Sequence, residues 1–161
     1  MKTCIIYHSY TGVTRGIAKK INAACGGDLI EVTPKDNYST LSAYSLGCIR
    51  ARKEACDPIR PEIIDVSSYD LIVIGTPVWA WKATPAINGA IAALKGCEGK
   101  PAVIFATCGS SAKDTLQIMK SALEKKGVRV TGEVVLSKSG ISGNEKVNDL
   151  VTLVRDGANS G

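Results

Sequence analysis

Thr3-Cys4-Ile5-Ile6-Tyr7-His8-Ser9-Tyr10-Thr11-Gly12-Val13-Thr14 joins an apolar strand to a helix through a short loop rich in hydroxyl groups. A strand that turns abruptly into a helix directs unpaired backbone N–H groups and the positive end of the helix dipole toward the turn. Such a turn suits a phosphate group. The side chains of Ser9, Thr11 and Thr14 add hydroxyl donors, and Gly12 allows close approach of the backbone. Because the first cation after the strand is Arg15, neutral donors would hold the anion.

Two common nucleotide-binding motifs are missing from this loop. It contains neither Gly-x-x-x-x-Gly-Lys-Ser/Thr, which binds nucleoside triphosphates, nor Gly-x-Gly-x-x-Gly, which binds dinucleotides. Ser and Thr are also frequent helix N-caps, so the loop alone leaves a purely structural role open. The pattern that the loop does match is Ser/Thr-x-Thr-Gly-x-Thr, which is complete in residues 9–14.

The composition is that of one globular domain, expected to span residues 1–161. Hydrophobic residues make up 45% of the chain and charged residues 22%. No apolar run is as long as a membrane span and no signal-peptide pattern begins the chain, so we expect a cytoplasmic protein without a membrane span. The net charge of +5 is not concentrated in a basic tract, which argues against nucleic-acid binding.

Six cysteines are present, without any Cys-x-x-Cys pair. Most of them fall within apolar helix or strand patterns, and His8 is the only possible nitrogen ligand for zinc. We therefore expect reduced thiols that act mainly as small buried side chains, and no metal site. The cysteines are Cys4, Cys25, Cys48, Cys56, Cys97 and Cys108.

Hydrophobic patterns predict five strands that alternate with five helices. After the opening strand, strands are predicted at 29–32, 69–75, 101–107 and 128–136. The first two helices are predicted from near Gly12 to Gly26 and over about four turns through 41–55. The other three run from Thr84-Pro85 to about Lys95, from a capping box at Ser111-x-x-Asp114 to Gly127, and from Asn144 to about Val154. Ser160, Gly161 and the residues just before them are predicted to be frayed. The second helix would bury a stripe formed by Leu41, Tyr44, Cys48, Ala51 and Ala55. This alternation predicts an α/β fold with a parallel sheet covered by helices on both faces.

Three loops would meet at the carboxyl ends of the strands, where ligands bind in doubly wound sheets. They are residues 9–14, 76–82 and 107–111. The first supplies phosphate donors, the second an aromatic side chain, and the third small residues with free backbone amides. A planar heteroaromatic ligand that carries a phosphate needs this combination, because its ring packs against an indole and its polar edge needs N–H donors.

The first loop resembles the FMN phosphate loop of the flavodoxin family. Residues 69–79 look like the second flavin loop of that family, and Thr107-Cys108-Gly109 is similar to the third. The resemblance extends over nearly the whole chain. It implies a flavodoxin-like three-layer fold, with a five-stranded parallel sheet in the order 2-1-3-4-5 known from flavodoxins, and FMN as the cofactor.

The resemblance also implies which residues bind the cofactor. Ser9, Thr11 and Thr14 and the amides of Tyr10, Gly12 and Val13 would hold the phosphate. Thr76, Pro77 and Val78 would line the ribityl chain. Trp79, which is followed by Ala80 in the same loop, would lie against the isoalloxazine ring, and Thr107, Cys108 and Gly109 would border its other edge. No residue is assigned a catalytic role. Cys108 is expected to act through its backbone, because the loop lacks the Arg of a cysteine phosphatase.

Three functions are compatible with these residues. The first is a flavin oxidoreductase that passes two electrons from NAD(P)H to a quinone or similar acceptor. The second is a one-electron carrier that docks to a redox partner protein, through a basic face that includes Arg50, Arg52 and Lys53. The third is a flavin-free binding module, although a receiver domain would need acidic residues where His8, Ser9 and Thr76 stand.

Two departures from the carrier pattern favour the oxidoreductase. The third loop has no aromatic residue to cover the outer face of the ring, and the net charge is positive whereas carrier flavodoxins are usually acidic. If Lys82 folded toward the ring, its charge would favour the anionic, two-electron-reduced flavin.

Overall fold

The computed structural model describes residues 1–159, so the predicted fraying of Ser160 and Gly161 lies outside the described residues. The predicted fraying of the residues just before them is wrong, because the last helix continues to Asn159. A parallel sheet is formed by the strands β1 (Thr3–Tyr7), β2 (Asp28–Glu31), β3 (Leu71–Trp79), β4 (Pro101–Cys108) and β5 (Arg129–Ser137). Their order, β2-β1-β3-β4-β5, confirms the predicted order 2-1-3-4-5. A two-residue strand, Lys82–Ala83, pairs antiparallel with the end of β3.

Four helices of nine residues or more cover the sheet, and shorter elements connect them. The four are α1 (Val13–Cys25), α2 (Pro85–Ala93), α3 (Thr115–Glu124) and α4 (Glu145–Asn159). As predicted, Thr84 caps α2, because its hydroxyl accepts a hydrogen bond from the Ile87 N–H. The shorter elements are the helical turns Thr40–Ser42, Ala43–Gly47, Cys48–Arg52 and Lys138–Ser142, and the paired strands Thr33–Pro34 with Ile59–Arg60 and Ile64–Asp65 with Leu94–Lys95.

Alternate side chains of the strands build two separate hydrophobic cores. Ile74 and Ile104 face the layer that contains α2 and α3, whereas Val73 and Phe105 face α1 and α4. Phe105 lies directly over Gly75, where a Cβ atom would come within 2.1 Å of the phenyl ring. The sheet is therefore covered on both faces, and the ends of its strands remain open for loops.

A helix is present where one was predicted through 41–55, but it ends at Arg52, it is irregular, and its predicted buried stripe is wrong at Leu41 and Tyr44. Residues 40–52, here called the 40–52 segment, form short helical turns with a π-helix at Ala43–Gly47. The small residues Ala43, Gly47 and Ala51 face inward, whereas Leu41 and Tyr44 point to solvent. The prediction assumed a regular α-helix, but the wider π turn brings a different set of side chains to the inner face.

Two other local predictions also need correction. Ser111 does not cap α3, because Asp114 occupies the N-cap position and Ser111 Oγ instead accepts a hydrogen bond from the Lys113 N–H at 3.2 Å. In α1 the apolar residues at helical spacing, which begin with Val13, predict that Val13 faces inward, but the first turn buries Thr14 and leaves Val13 exposed. Within residues 1–159, no helix combines the length and apolar character that crossing a bilayer requires.

Candidate cofactor site

The loop between β1 and α1 offers open backbone donors. Within residues 1–159, no acceptor is hydrogen-bonded to the amide N–H groups of Tyr10, Thr11, Val13 or Thr14. Gly12 has φ 95°, a conformation that L side chains rarely adopt. Ser9 Oγ stabilises the turn by accepting hydrogen bonds from the amides of Gly12 at 3.1 Å and Arg15 at 3.2 Å. Its own proton is therefore available to a ligand, and the loop has the donors that a phosphate needs.

The cation that follows this loop is already neutralised. Arg15 Nε donates to Glu31 Oε2 at 2.9 Å, and the Tyr7 hydroxyl donates to the same oxygen at 3.1 Å. The hydrogen bond from Arg15 lowers the pKa of Glu31, so this carboxylate stays ionised and keeps its partner. An anion at the loop would thus be held by neutral donors, as the sequence predicts.

A buried pair of hydroxyls connects the first loop to the end of β4. Thr14 Oγ1 lies 2.8 Å from Thr107 Oγ1, and both side chains are almost completely buried. A hydroxyl that accepts this bond keeps its own proton for another acceptor. Pro77 on β3 is also in register with Thr107 on β4. The structure therefore brings predicted residues of all three loops to one edge of the sheet.

Trp79 lies at the centre of an aromatic cluster. Its indole meets the rings of Tyr10 and Tyr38 edge-on, each with centroids 5.6 Å apart, and the ring of His8 at 6.1 Å. Gly47 supplies the close fit on one side, because a Cβ atom there would lie 2.7 Å from the indole. Edge-to-face contacts of this kind hold aromatic rings in defined orientations.

A buried carboxylate fixes the Tyr38 ring of this cluster. The Tyr38 hydroxyl donates to Asp57 Oδ2 at 2.6 Å, and Arg50 Nε donates to Asp57 Oδ1 at 2.9 Å. Burial and the hydrogen bond to Asp57 raise the pKa of Tyr38 to about 12, so the phenol stays protonated as a donor. Arg50 therefore has a structural partner and is not the free surface cation that the sequence analysis expected.

A tight hairpin follows Trp79. Ala80 and Trp81 form its two-residue tip, with φ 48° and 65°, and join the end of β3 to Lys82–Ala83. The Thr115 hydroxyl donates to the Trp81 carbonyl at 2.9 Å, and Lys113 Nζ lies 4.1 Å from the centre of the Trp81 ring. These contacts attach the second loop to the start of α3. Trp81 thus stands on the third-loop side of the site, opposite the cluster around Trp79.

Two sequence-based roles change in this geometry. Lys82 Nζ forms an ion pair with Glu54 at 3.1 Å, so the expectation that it folds toward the flavin ring is not supported. Thr76 is completely buried, and its hydroxyl donates to the Pro77 carbonyl and accepts from the Thr84 amide. Its side chain therefore supports the loop, and the prediction that Thr76 lines the ribityl chain now rests on its backbone.

Cys108 and His8 both favour their neutral forms. Burial raises the pKa of the Cys108 thiol, which agrees with a backbone role and not with a nucleophile. Burial also lowers the pKa of His8, whose Nδ1 donates to the Val32 carbonyl at 2.8 Å. Among residues 1–159, no group of three or more His, Cys, Asp or Glu side chains is arranged to hold a metal ion, and all six cysteines are free thiols.

Comparison with known proteins identifies the family. The family model that matches is described as flavodoxin, and it covers residues 2–149. The chain belongs to the flavodoxin family. This membership supports FMN as the predicted cofactor, since the Ser9–Thr14 loop was recognised from the same family. No curated protein matches the chain in sequence.

Solved structures with the same fold are numerous but distant in sequence. A Bacteroides uniformis protein provisionally assigned as a flavoprotein has 24% identity and a TM-score of 0.78, over 94% of this chain and 97% of that one. A Lactobacillus acidophilus flavoprotein in complex with FMN has 23% identity and a TM-score of 0.71, over 88% and 97%. An NADH:FMN oxidoreductase has 17% identity and a TM-score of 0.65, over 99% and 90%. These similarities establish the flavodoxin fold.

Several residues at the site carry no recognisable sequence signal. Tyr38, Gly47 and Asp57 lie in the region between β2 and β3, outside the three loops predicted to meet at the site. The Tyr38 hydroxyl donates to Asp57, which is 19 residues further along the chain, and the π turn places Gly47 at the site. Lys113 lies two residues beyond Ser111, at which the predicted third loop ends.

Proposed function

We propose that this flavodoxin-family chain binds FMN at the carboxyl ends of β1, β3 and β4 and acts as an FMN-dependent oxidoreductase, passing electrons from NAD(P)H to a quinone or similar acceptor. The observation that carries the proposal is the placing of four open amide N–H groups beside the aromatic cluster of Trp79. The Tyr10 ring joins the two parts of this arrangement. A ligand with a phosphate at one end and a planar ring at the other matches it.

The residues divide the binding task among the three loops. The open amides and the hydroxyls of Ser9 and Thr11 would hold the phosphate, while Pro77 and Val78 would lie along the ribityl chain. Trp79 and Ala80 would contact the ring from one side, and Thr107, Cys108 and Gly109 would border it from the other. FMN itself supplies the redox chemistry, and the protein supplies binding, orientation and local charge.

The surroundings of the ring site favour an oxidoreductase with a small-molecule partner. Gly109, Ser110 and Ser111 are exposed and small, so the third loop leaves room for a second planar molecule. The carboxylates Glu31, Glu54 and Asp57 near the site are each paired with an arginine or lysine. These three carboxylates therefore add little free negative charge that would oppose the anionic reduced flavin. A structural relative is an NADH:FMN oxidoreductase, which is consistent with this role.

The spectrum of the purified protein tests cofactor binding directly. We expect the absorption bands of oxidised flavin, FMN as the released cofactor, and uptake of FMN by the apoprotein. NADH or NADPH oxidation with menadione as acceptor then tests the oxidoreductase role. A protein that remains colourless when titrated with FMN contradicts the proposal. Flavin binding without turnover of either nicotinamide would instead favour a one-electron carrier.

A further inference from the structure

Tyr38 connects the aromatic cluster to a buried carboxylate. Its ring meets the Trp79 indole edge-on, with centroids 5.6 Å apart, which is contact distance for two aromatic rings. Its hydroxyl donates to Asp57 Oδ2 at 2.6 Å. Tyr38 therefore has an indole on one side, with which it can exchange an electron, and a proton acceptor on the other.

The other four tyrosines lack one of these two features or both. Tyr10 meets the Trp79 indole at the same distance, but within residues 1–159 its hydroxyl has no hydrogen-bond partner. Tyr7 and Tyr69 each donate to a carboxylate, and neither ring contacts an indole in the described part of the chain. Tyr44 is exposed and has neither contact there. The geometry thus distinguishes Tyr38 from the rest.

Asp57 divides its two oxygens between Arg50 and Tyr38. Arg50 contacts Oδ1, through Nε at 2.9 Å and through Nη2 at 2.7 Å. Oδ2 is thereby left to the phenol. Because Asp57 is only 7% exposed, water has little access to this short hydrogen bond. A positioned carboxylate oxygen of this kind is suited to accept a proton.

Of the two indoles at the site, Trp79 gives up an electron more readily. Lys113 Nζ lies 4.1 Å from the centre of the Trp81 ring, and its charge opposes the formation of a second positive charge there. Within the part of the chain that the structure describes, no lysine or arginine lies over the Trp79 ring. Gly47 of the 40–52 segment covers one side of this indole. Oxidation at the ring site therefore falls on Trp79.

We propose that Tyr38 and Asp57 form a proton-coupled electron relay, which restores Trp79 after a one-electron oxidant at the ring site has taken an electron from its indole. In the FMN-loaded protein this oxidant is light-excited flavin, so the inference rests on the proposed function at this point. An indole that has lost an electron reacts irreversibly with oxygen. The relay thus protects the side chain that lies against the flavin ring.

The relay moves one electron and one proton. Trp79 loses one electron to the oxidant, which is reduced. Tyr38 then gives one electron to Trp79, which returns to its starting state. A phenol that has lost an electron is a strong acid, so the Tyr38 O–H bond breaks and the proton forms a new O–H bond at Asp57 Oδ2. One electron from the reduced oxidant, or from added ascorbate, and the proton from Asp57 later restore Tyr38.

Pulse radiolysis of the apoprotein tests the relay without a flavin. Azide radicals serve as the oxidant, because they oxidise indoles in preference to phenols at neutral pH. Every protein in the series carries Trp81→Phe, which leaves Trp79 as the only indole. The absorption of the Trp79 radical should decay into that of a tyrosyl radical, more slowly in D2O than in H2O. Tyr38→Phe should abolish the tyrosyl radical, whereas Tyr10→Phe is the matched control at the same distance and should preserve it.

A second variant tests the proton acceptor. Asp57→Asn keeps an oxygen that can accept the hydrogen bond but has no place for the proton, so formation of the tyrosyl radical should slow by about a hundredfold. Circular dichroism confirms that each variant is folded. If Asp57→Asn does not fold, the two tyrosine variants and the D2O effect decide the question alone.

Illumination of the FMN-loaded protein in air tests the protective role. Mass spectrometry of the peptide that contains Trp79 measures oxygen addition to the indole. Tyr38→Phe should accumulate this product several-fold faster than the wild-type chain.

Four results would overturn the inference. These are decay of the Trp79 radical without a tyrosyl radical, equal loss of that radical in both tyrosine variants, its formation at the wild-type rate in Asp57→Asn, and equal photo-oxidation of Trp79 with and without the Tyr38 hydroxyl. Because the radiolysis uses the apoprotein, a failure to bind FMN would sink the proposed function and leave the test of the relay intact.

Discussion

Thr11 is the residue of the first loop whose hydroxyl is most available to a ligand. It is exposed, whereas Thr14 is buried against Thr107. We expect Thr11→Val to weaken FMN binding by about 1.5–3 kcal/mol, the usual value of a hydrogen bond to a charged group, and to leave riboflavin binding unchanged. Fluorescence titration with both flavins measures the difference, and exposed Thr152→Val is the control. Equal weakening of both ligands would show that Thr11 does not contact the phosphate.

The two tryptophans allow the ring site to be tested one side chain at a time. Trp79 lies inside the aromatic cluster, and Trp81 lies at the hairpin tip under Lys113. If Trp79 contacts the flavin, FMN should quench most of its fluorescence, and Trp79→Phe should remove most of the quenching. Trp81→Phe should preserve it. The reverse pattern would assign the flavin contact to Trp81.

His8 should produce a pH dependence of stability that can be assigned without ambiguity. Burial lowers its pKa in the folded state, so below about pH 6.5 the unfolded chain binds the proton first. The contribution of His8 to the free energy of unfolding should therefore be at its maximum above that pH. As the pH is lowered further, the free energy of unfolding should decrease by at most about 1.4 kcal/mol per pH unit. His8 is the only histidine, and carboxylates titrate at lower pH. Urea unfolding between about pH 5 and 7 should show this slope in wild type. An undiminished slope in His8→Asn would exclude His8 as its source.

At the level of elements, the hairpin after β3 has a tip built from residues that disfavour its backbone conformation. Ala80 and Trp81 both have positive φ, although such tips favour Asn and Gly. We expect Ala80→Gly to raise the free energy of unfolding by roughly 0.5–1 kcal/mol, because Gly adopts positive φ without strain. The same change at exposed Ala23 within α1 should lower it by a similar amount. Thermal and urea unfolding measure the stability of both variants. If Ala80→Gly destabilises the protein, the backbone of the hairpin tip is not strained at Ala80.

At the level of the whole molecule, the charge balance predicts how many electrons the flavin accepts at a time. The chain has a net charge of +5, and the ammonium group of Lys113, at the third-loop side of the site, has only the Trp81 ring as its partner among the contacts found in residues 1–159. This environment favours the anionic, two-electron-reduced flavin. Anaerobic reductive titration of the FMN-loaded protein should proceed without accumulation of the one-electron form. Abundant one-electron-reduced flavin without NAD(P)H turnover would indicate a carrier.

Lys113 and Lys82 form a matched pair for the same question. Lys113→Met should lower the affinity for reduced FMN relative to oxidised FMN, whereas Lys82→Met should change this ratio little, because Glu54 already neutralises Lys82. The midpoint potential of the bound flavin measures the ratio. If both substitutions change the midpoint potential equally, the overall charge of the protein is the cause and the position of Lys113 is not.

The sequence by itself determined the order of elements, the sheet order and the family. Period-2 and helical patterns, the Ser9–Thr14 motif and the Thr84-Pro85 helix start are local signals. The topology rules for parallel sheets leave few strand orders, and the resemblance to flavodoxins implied which of them this chain adopts. The same local signals located the three loops, because the carboxyl ends of parallel strands meet at one edge of the sheet.

Only the tertiary structure decided which other side chains surround the site and which charges remain free. Tyr38 and Asp57 meet Trp79 and Arg50 through contacts between distant parts of the chain. The partner of Lys82 is Glu54, 28 residues away, and the π turn at Ala43–Gly47 leaves Leu41 and Tyr44 of the predicted buried stripe exposed to solvent. Ion pairing and helix geometry of this kind depend on the positions of neighbouring elements in space. They therefore leave no local periodicity in the sequence from which they could be predicted.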